Sequence, residues 1–218
     1  MAVKVDFHTH TEASPDGSLT AHDYANAFGS GLLDCAAVTD HNTISKALEL
    51  KAEHGDRIIV GEEITTQTGE VIGLFLTEPV APMMTLTDTI TQIKKQGGVV
   101  YIPHPFETVR KGLAVSDLEV IAKHVDIVEA YNGRAVFQDK GAAALEWARK
   151  HSIPVAASSD SHGRSGWGRT YTVLAALPGR ENILELLKDA QHSHAWPGVR
   201  GVLYPKINRL RKTGRSHA

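Results

Sequence analysis

The chain has 218 residues, enough for one well-buried core, and its 23 Lys and Arg against 25 Asp and Glu give a formal charge of −2, which excludes a whole-molecule pull toward nucleic acid or anionic membrane. The single cysteine, Cys35, excludes an internal disulfide and a cysteine zinc cage and fits a reducing compartment. No basic segment followed by an apolar one opens the chain, and no run approaches ~18 consecutive apolar residues, so the expectation is a cytoplasmic protein without a membrane partner.

Short β-rich runs alternate with longer helical patterns, the signature of βα units. The first predicted strand covers residues 2–8 and leads to a helix that Thr20 opens as N-cap, with Asp23 three residues on, and that Gly29 and Gly31 close. Strand 34–39 and helix 43–54 follow, then strands 57–66 and 70–76, which read as a hairpin joined at Thr68-Gly69. The alternation resumes with helix 86–96, strand 98–103, helix 116–124, strand 125–131, helix 136–151, strands 154–158 and 170–175, and helix 180–191. About seven βα units in this length predict an α/β chain folded as a small closed or distorted barrel over residues 1–195, an open doubly wound sheet being the alternative. Residues 196–218 form a basic tail with Arg200, Lys206, Arg209, Arg211, Lys212 and Arg215 and no acid; Leu203, Ile207 and Leu210 have the spacing of a short docked helix.

Histidines and carboxylates sort by position relative to these strands. Residues two apart on a strand share a face and lie about 6.6 Å apart along it, so His8 and His10 in "KVDFHTH" can converge on one ion, with Asp6 on the same face. Asp16 follows in the loop "SPDGSLT", His41 ends the second strand in "TDHN", and Glu63 lies in "GEEIT". His104 ends a strand in "YIPHP", Glu129 another in "VEAYNGR", and Asp160 and His162 alternate in "SSDSH". Strand carboxyl ends in parallel α/β barrels face one common opening, where catalytic groups gather. His22, His54, His124, His151, His192, His194 and His217 fall in helices or the tail and read as surface or packing residues. Imidazole and carboxylate without thiolate suit Zn²⁺, Mn²⁺ or Fe²⁺, and a donor set of this size suits two or three ions.

These motifs, from "DFHTHTEASPDG" through "AVTDHNT", "VGEEIT", "YIPHP" and "VEAYNGR" to "ASSDSHG", resemble those of the polymerase and histidinol phosphatase (PHP) superfamily of metal-dependent phosphoesterases, in family order over residues 6–163. The resemblance implies a distorted (β/α)7 barrel with a metal centre at the strand carboxyl ends. It implies a first ion on His8, His10 and Asp160, with Glu63 bridging to a second ion held by His104, and a third ion on Asp16, His41 and His162. The sequence departs from the family after the sixth strand, where many members supply a further histidine or cysteine; Glu129, Asn132 or water are the substitutes available to the second ion.

The resemblance implies hydrolysis of a phosphate ester by water that the ions activate, without a protein nucleophile. Ser158, Ser159 and Ser161 would need their own base, and the nearby histidines are better used as ligands. Arg134, Arg164 and Arg169 follow metal-bearing strands and are candidates for a cationic fork on the phosphate. Trp167, between two glycines, has two readings, a platform on which a base stacks and, favoured over it, a cover for the barrel end. The expected substrate is a small phosphate monoester, a nucleotide or sugar phosphate. Alternatives are a phosphodiesterase or exonuclease on oligonucleotides, a C–N hydrolase of the amidohydrolase type, and a non-catalytic metal-stabilised module. The sequence specifies no oligomeric state.

Overall fold

The computed structural model describes residues 2–136 and 138–215; His217, Phe137 of the expected helix 136–151 and the side chain of Arg215 lie outside the described residues. In chain order the elements are β1 Val3–Thr9, α1 Ala21–Gly29, β2 Cys35–Val38, α2 Ser45–His54, β3 Ile58–Thr65, β4 Glu70–Leu74, α3 Leu86–Lys95 and β5 Val99–Ile102. They continue with α4 Val115–Ile121, β6 Ile127–Asn132, α5 Gly141–Lys150, β7 Val155–Ser158, β8 Tyr171–Leu174, α6 Ile183–Lys188, β9 Gln191–Ser193 and α7 Gly198–Arg215.

One 9-stranded sheet takes the order β7-β6-β5-β4-β3-β2-β1-β8-β9 and curls into a nearly closed barrel. Strands β1, β2 and β3 pair in parallel, as do β5, β6 and β7, so their carboxyl ends point one way. The α/β barrel expected from the alternation is present, with a difference from a uniform (β/α)7 count. β4 runs antiparallel to both β3 and β5, and β8 and β9 form an antiparallel flap on β1. Gln191, expected as the last residue of helix 180–191, instead opens β9, because pairing with Val173 outweighs a weak local helical preference.

Closure occurs between β1 and the end of β7. Thr9 bridges Ser161 in parallel, His10 N donates to Ser161 O (2.9 Å), and Ser159 N donates to Asp6 Oδ1 (2.9 Å). Local signals agree with the fold at the helix starts. Thr20 and Asp23 form a reciprocal capping box on α1, and Thr85 accepts from Asp88 N on α3.

The apolar residues divide by sheet face. Ala36, Val38, Ile58, Ile64, Val100 and Ile102 pack outward under the helices. Val5, Phe7, Ile72, Leu74, Tyr101 and Ile127 fill the barrel interior. This plug is the floor of the site: the Tyr101 hydroxyl rises from it to hydrogen-bond Glu129 Oε1 (3.1 Å) and Ser158 Oγ (2.7 Å). No helix among the described residues is long and apolar enough to cross a membrane.

Candidate metal centre

A bulge opens the site. Asp6 lies opposite Ala36 but Thr9 opposite Val38, so β1 carries one extra residue between them. Phe7 therefore joins the interior plug beside Val5, while His8 and His10 turn into the space above it. Asp6 does not join them there. Its carboxylate accepts from Ser159 N and Oγ and from His8 N, and burial pushes it up to about 7.

His8 and His10 present their Nε2 atoms 3.0 Å apart. Both face Glu63 Oε2, at 3.4 and 3.2 Å, and Asp160 Oδ1, at 3.6 Å each. Two donors on one tetrahedral ion with bonds of about 2.1 Å are separated by about 3.4 Å, so these spacings fit a shared cation. The opposite ring nitrogens are held from behind, His8 Nδ1 by Glu129 Oε1 (3.2 Å) and His10 Nδ1 by Ser14 Oγ (3.0 Å).

Glu63 faces both ways. Its Oε2 also lies 3.2 Å from His41 Nδ1, and its Oε1 lies 3.1 Å from His104 Nε2, which is the geometry of a bridging carboxylate. A further group gathers where His41 Nε2 (3.5 Å) and His162 Nε2 (3.4 Å) approach Asp16 Oδ1. The His10 ring lies 4.6 Å from His41 and 4.1 Å from His162. The structure thus brings His8, His10, Asp16, His41, Glu63, His104, Asp160 and His162 into one cluster, with three overlapping triads among them whose donor atoms lie within 4.8 Å of one another.

The electrostatics of this cluster fit divalent ions. Burial raises the Asp160 carboxyl, but Arg134, His8, His162 and Arg110 together hold it well below the usual range. Burial also lowers the His8 imidazole, yet Asp160, Glu63 and Glu129 hold it well above its ordinary value. His162 is pushed down to about 3 by burial, His10 and Arg134, leaving it neutral as a ligand must be. Asp16 Oδ1 and His104 Nδ1 are buried with no hydrogen-bond partner. Backbone strain sits at the same strand ends: Asn42, His104 and Asp160 have φ of 56°, 29° and 51°.

Around the ions' places lie basic groups that the sequence only partly disclosed. Arg134 Nη1 lies 3.1 Å from both Asp160 oxygens, as its position after β6 suggested. Arg164 and Arg169 do not reach the cavity: Arg164 pairs with Asp23 and Arg169 donates to Trp196 O. Arg110 takes their place. It lies in the loop after β5, gripped by Glu107, and its Nη1 donates to Asp160 Oδ2 at 2.7 Å. Gly112 lets that loop fold back, since a Cβ there would lie 2.2 Å from His104 O. The sequence carried only a faint sign of it, the spacing of Glu107 and Arg110 in a loop that ends in glycine. Trp167 is 5% exposed and packs edge-on against Tyr24, a cover for the barrel end.

The cavity above the cluster has a volume of about 500 Å³. Val109, Arg110 and Lys111 wall one side; Val202, Lys206 and Arg209 of α7 wall the other. α7 is fastened to the rim by polar bonds. Asn208 Nδ2 donates to Asp16 O (2.8 Å) and His162 O (2.9 Å), Arg209 Nη2 donates to Asp16 Oδ2 (2.6 Å), and Lys212 Nζ donates to Glu12 O (2.8 Å) and Gly17 O (2.9 Å). Leu203 and Leu210 do not dock as their spacing suggested, being 43% and 66% exposed; Gly201, Pro205 and Asn208 are the buried positions.

Comparisons with known proteins agree with this architecture. A family model described as PHP-associated matches residues 142–191. An uncharacterized protein of Methanocaldococcus jannaschii is 34% identical over 179 residues, covering 80% of this chain and 72% of that protein. A two-domain Bacteroides vulgatus protein containing a PHP-like metal-dependent phosphoesterase superposes with a TM-score of 0.70 at 19% identity, over 96% of this chain and 70% of that one. An amidohydrolase from Chromobacterium violaceum, with bound sulfate and no metal, superposes with a TM-score of 0.61 at 16% identity, over 89% of this chain and 98% of that one.

Proposed function

The chain belongs to the PHP superfamily, in one family with its Methanocaldococcus relative, and from that premise we propose that it is a hydrolase of small phosphate monoesters, nucleotide or sugar phosphates, working with two or three divalent ions. His8, His10 and Asp160 would hold one ion and His104 a second, with Glu63 shared between them, and Asp16, His41 and His162 would hold a third. The observation that carries this reading is the placing of Glu63, whose two oxygens face imidazoles on opposite sides. Zn²⁺, Mn²⁺ and Fe²⁺ all suit these donors.

When bound, such ions supply Lewis acidity toward a phosphoryl oxygen and lower the pKa of water. The chain's own groups do the rest. Arg110 and Arg134 converge on Asp160 at the cavity floor: Arg110 spends its five N–H groups on Glu107, Asn132 and Asp160 and so holds Asp160 in place, while Arg134, which bonds Asp160 through Nη1, has Nη2 to bind a phosphoryl oxygen as charge grows on it. Glu107 fixes the plane of Arg110 through paired contacts. The serines stay out of the chemistry: Ser158 Oγ bonds Tyr101 and Ser159 Oγ bonds Asp6. A cavity of about 500 Å³ walled on two sides suits a small molecule.

A second reading, cleavage of oligonucleotides, draws support from α7, which borders the cavity with Lys206 and Arg209 and carries Arg200, Arg211 and Lys212 elsewhere along its length, with no acid. One experiment separates them. The protein supplied with Mn²⁺, Zn²⁺ or Fe²⁺ is assayed on nucleotide, sugar and amino-acid phosphates and on a labelled oligonucleotide. Phosphate release from small esters is expected, falling by about 10²–10³-fold or more in His10→Ala and Asp160→Ala. Shortening of the oligonucleotide without that release would replace the first reading by the second. No hydrolysis with any ion would leave a non-catalytic metal-stabilised module.

A further inference from the structure

Beside Glu63 and His104, the second ion lacks a protein donor, and neither substitute read from the sequence is free to serve. Glu129 Oε1 lies 3.2 Å from His8 Nδ1 and accepts from the Tyr101 hydroxyl; its Oε2 accepts from His104 N and Asn132 Nδ2, both at 2.7 Å. Asn132 Oδ1 accepts from Arg110 Nη1 and Arg134 N. A bulge in β6 is the cause. Glu129 lies opposite Ala156 and Asn132 opposite Ser158, one residue more than the partner strand has, so both turn inward and bind one another behind the imidazoles.

Glu70 is placed otherwise. It opens β4 opposite Thr65, two register positions from the Glu63–Ile72 pair, so it shares a sheet face with Glu63. The turn before it is held by Thr66 N donating to Gly69 O (2.8 Å), and Glu70 N donates to Lys111 O (3.0 Å). The residue is 6% exposed and its side chain lines the cavity. One of its oxygens, one oxygen of Glu63 and one ring nitrogen of His104 lie within 4.8 Å of one another. No hydrogen-bond donor among the described residues serves its carboxylate; the nearest cation is Lys111 Nζ at 3.8 Å, on a side chain 65% exposed. His104 Nδ1 is buried and equally without a partner. A carboxylate buried without donors next to another carboxylate costs free energy that a divalent cation removes.

We propose that Glu70 is a ligand of the second ion, which it holds together with His104 and the bridging Glu63. This rests on the metal-dependent reading above. Three protein donors leave positions open for water and substrate, so this ion is held by protein and still open to the reaction. The hairpin that interrupts the βα alternation thereby has a chemical role: it returns the chain to bring a second carboxylate to the same ion.

The test uses the full chain, stripped with chelator and titrated with Mn²⁺ or Zn²⁺ alone, with bound ions counted by elemental analysis after dialysis. Glu70→Gln keeps the shape and removes the charge. It is expected to bind one ion fewer than wild type, or to hold that ion at least tenfold more weakly, with the others unchanged. Glu70→Asp is expected to fall between the two. His104→Ala is expected to lose the same ion, and Glu70→Gln added to it no further one. Glu70→Gln with wild-type stoichiometry and affinity overturns the proposal, even if its hydrolysis is slow. Loss of every ion in Glu70→Gln, with a melting temperature in chelator equal to wild type, overturns it as well. Wild type that binds no ion overturns the metal-dependent reading itself, a separate result from either.

Discussion

Glu62 and Glu63 show how much one backbone step decides. Both are buried, yet Glu63 faces the imidazoles whereas Glu62 points out of the barrel, where Oε2 accepts from Val80 N (2.8 Å) and Oε1 has no partner. Burial pushes the Glu62 carboxyl up to about 7. Between its unfolded value of 4.5 and about 7 the folded state binds more protons, so its contribution to stability is complete at pH 4.5 and is lost as pH rises to 7. Urea unfolding in chelator should therefore show Glu62→Gln gaining about 3 kcal/mol on wild type between pH 4.5 and 8, with no gain at the acid end. In the sequence Glu63 was singled out by its place in the motif "VGEEIT", since alternation alone does not say which member of the pair faces inward. Arg110 was not legible, because a loop path has no period to read.

At the scale of elements, the histidine and carboxylate motifs were readable because each ends a strand and the strands run together. The bulges were not, since an extra residue in a strand leaves no mark in an apolar pattern. Alternation put Asp6 with His8 and His10; the bulge in β1 diverts it to Ser159, where it ties β1 to the end of β7. Asp6→Ala leaves Ser159 N and Oγ without that acceptor inside the barrel, and should lower stability by about 2–4 kcal/mol. Asp6→Asn, which retains an acceptor, should lose less than half of that. Urea midpoints in chelator measure both. The hairpin β3–β4 was visible from its turn residues, but the nearness of Glu70 to His104 depends on how β4 meets β5, a pairing that joins residues far apart in sequence.

At the scale of the molecule, the basic segment after residue 195 was legible as a helix but not by the face it docks. Leucine spacing pointed to an apolar contact, whereas the surface α7 meets is a rim of carbonyls that need donors, so Asn208 and Lys212 turn inward. Asn208→Leu removes donors to Asp16 O and His162 O without changing charge. It should cost about 1–3 kcal/mol, seen as a fall of roughly 2–12 °C in Tm, and lower kcat/KM with it. Lys212 reaches Glu12 O across a separation of 200 residues. A nascent chain can close its barrel once Ser161 has met Thr9, and Ser14 and Ser18 tie the loop bearing Asp16 to Asp40 and His162 O, but the bonds from Asn208 and Arg209 to Asp16 form only when α7 has left the ribosome. The mouth of the site is thus finished only when a loop meets a helix translated 192 residues after it.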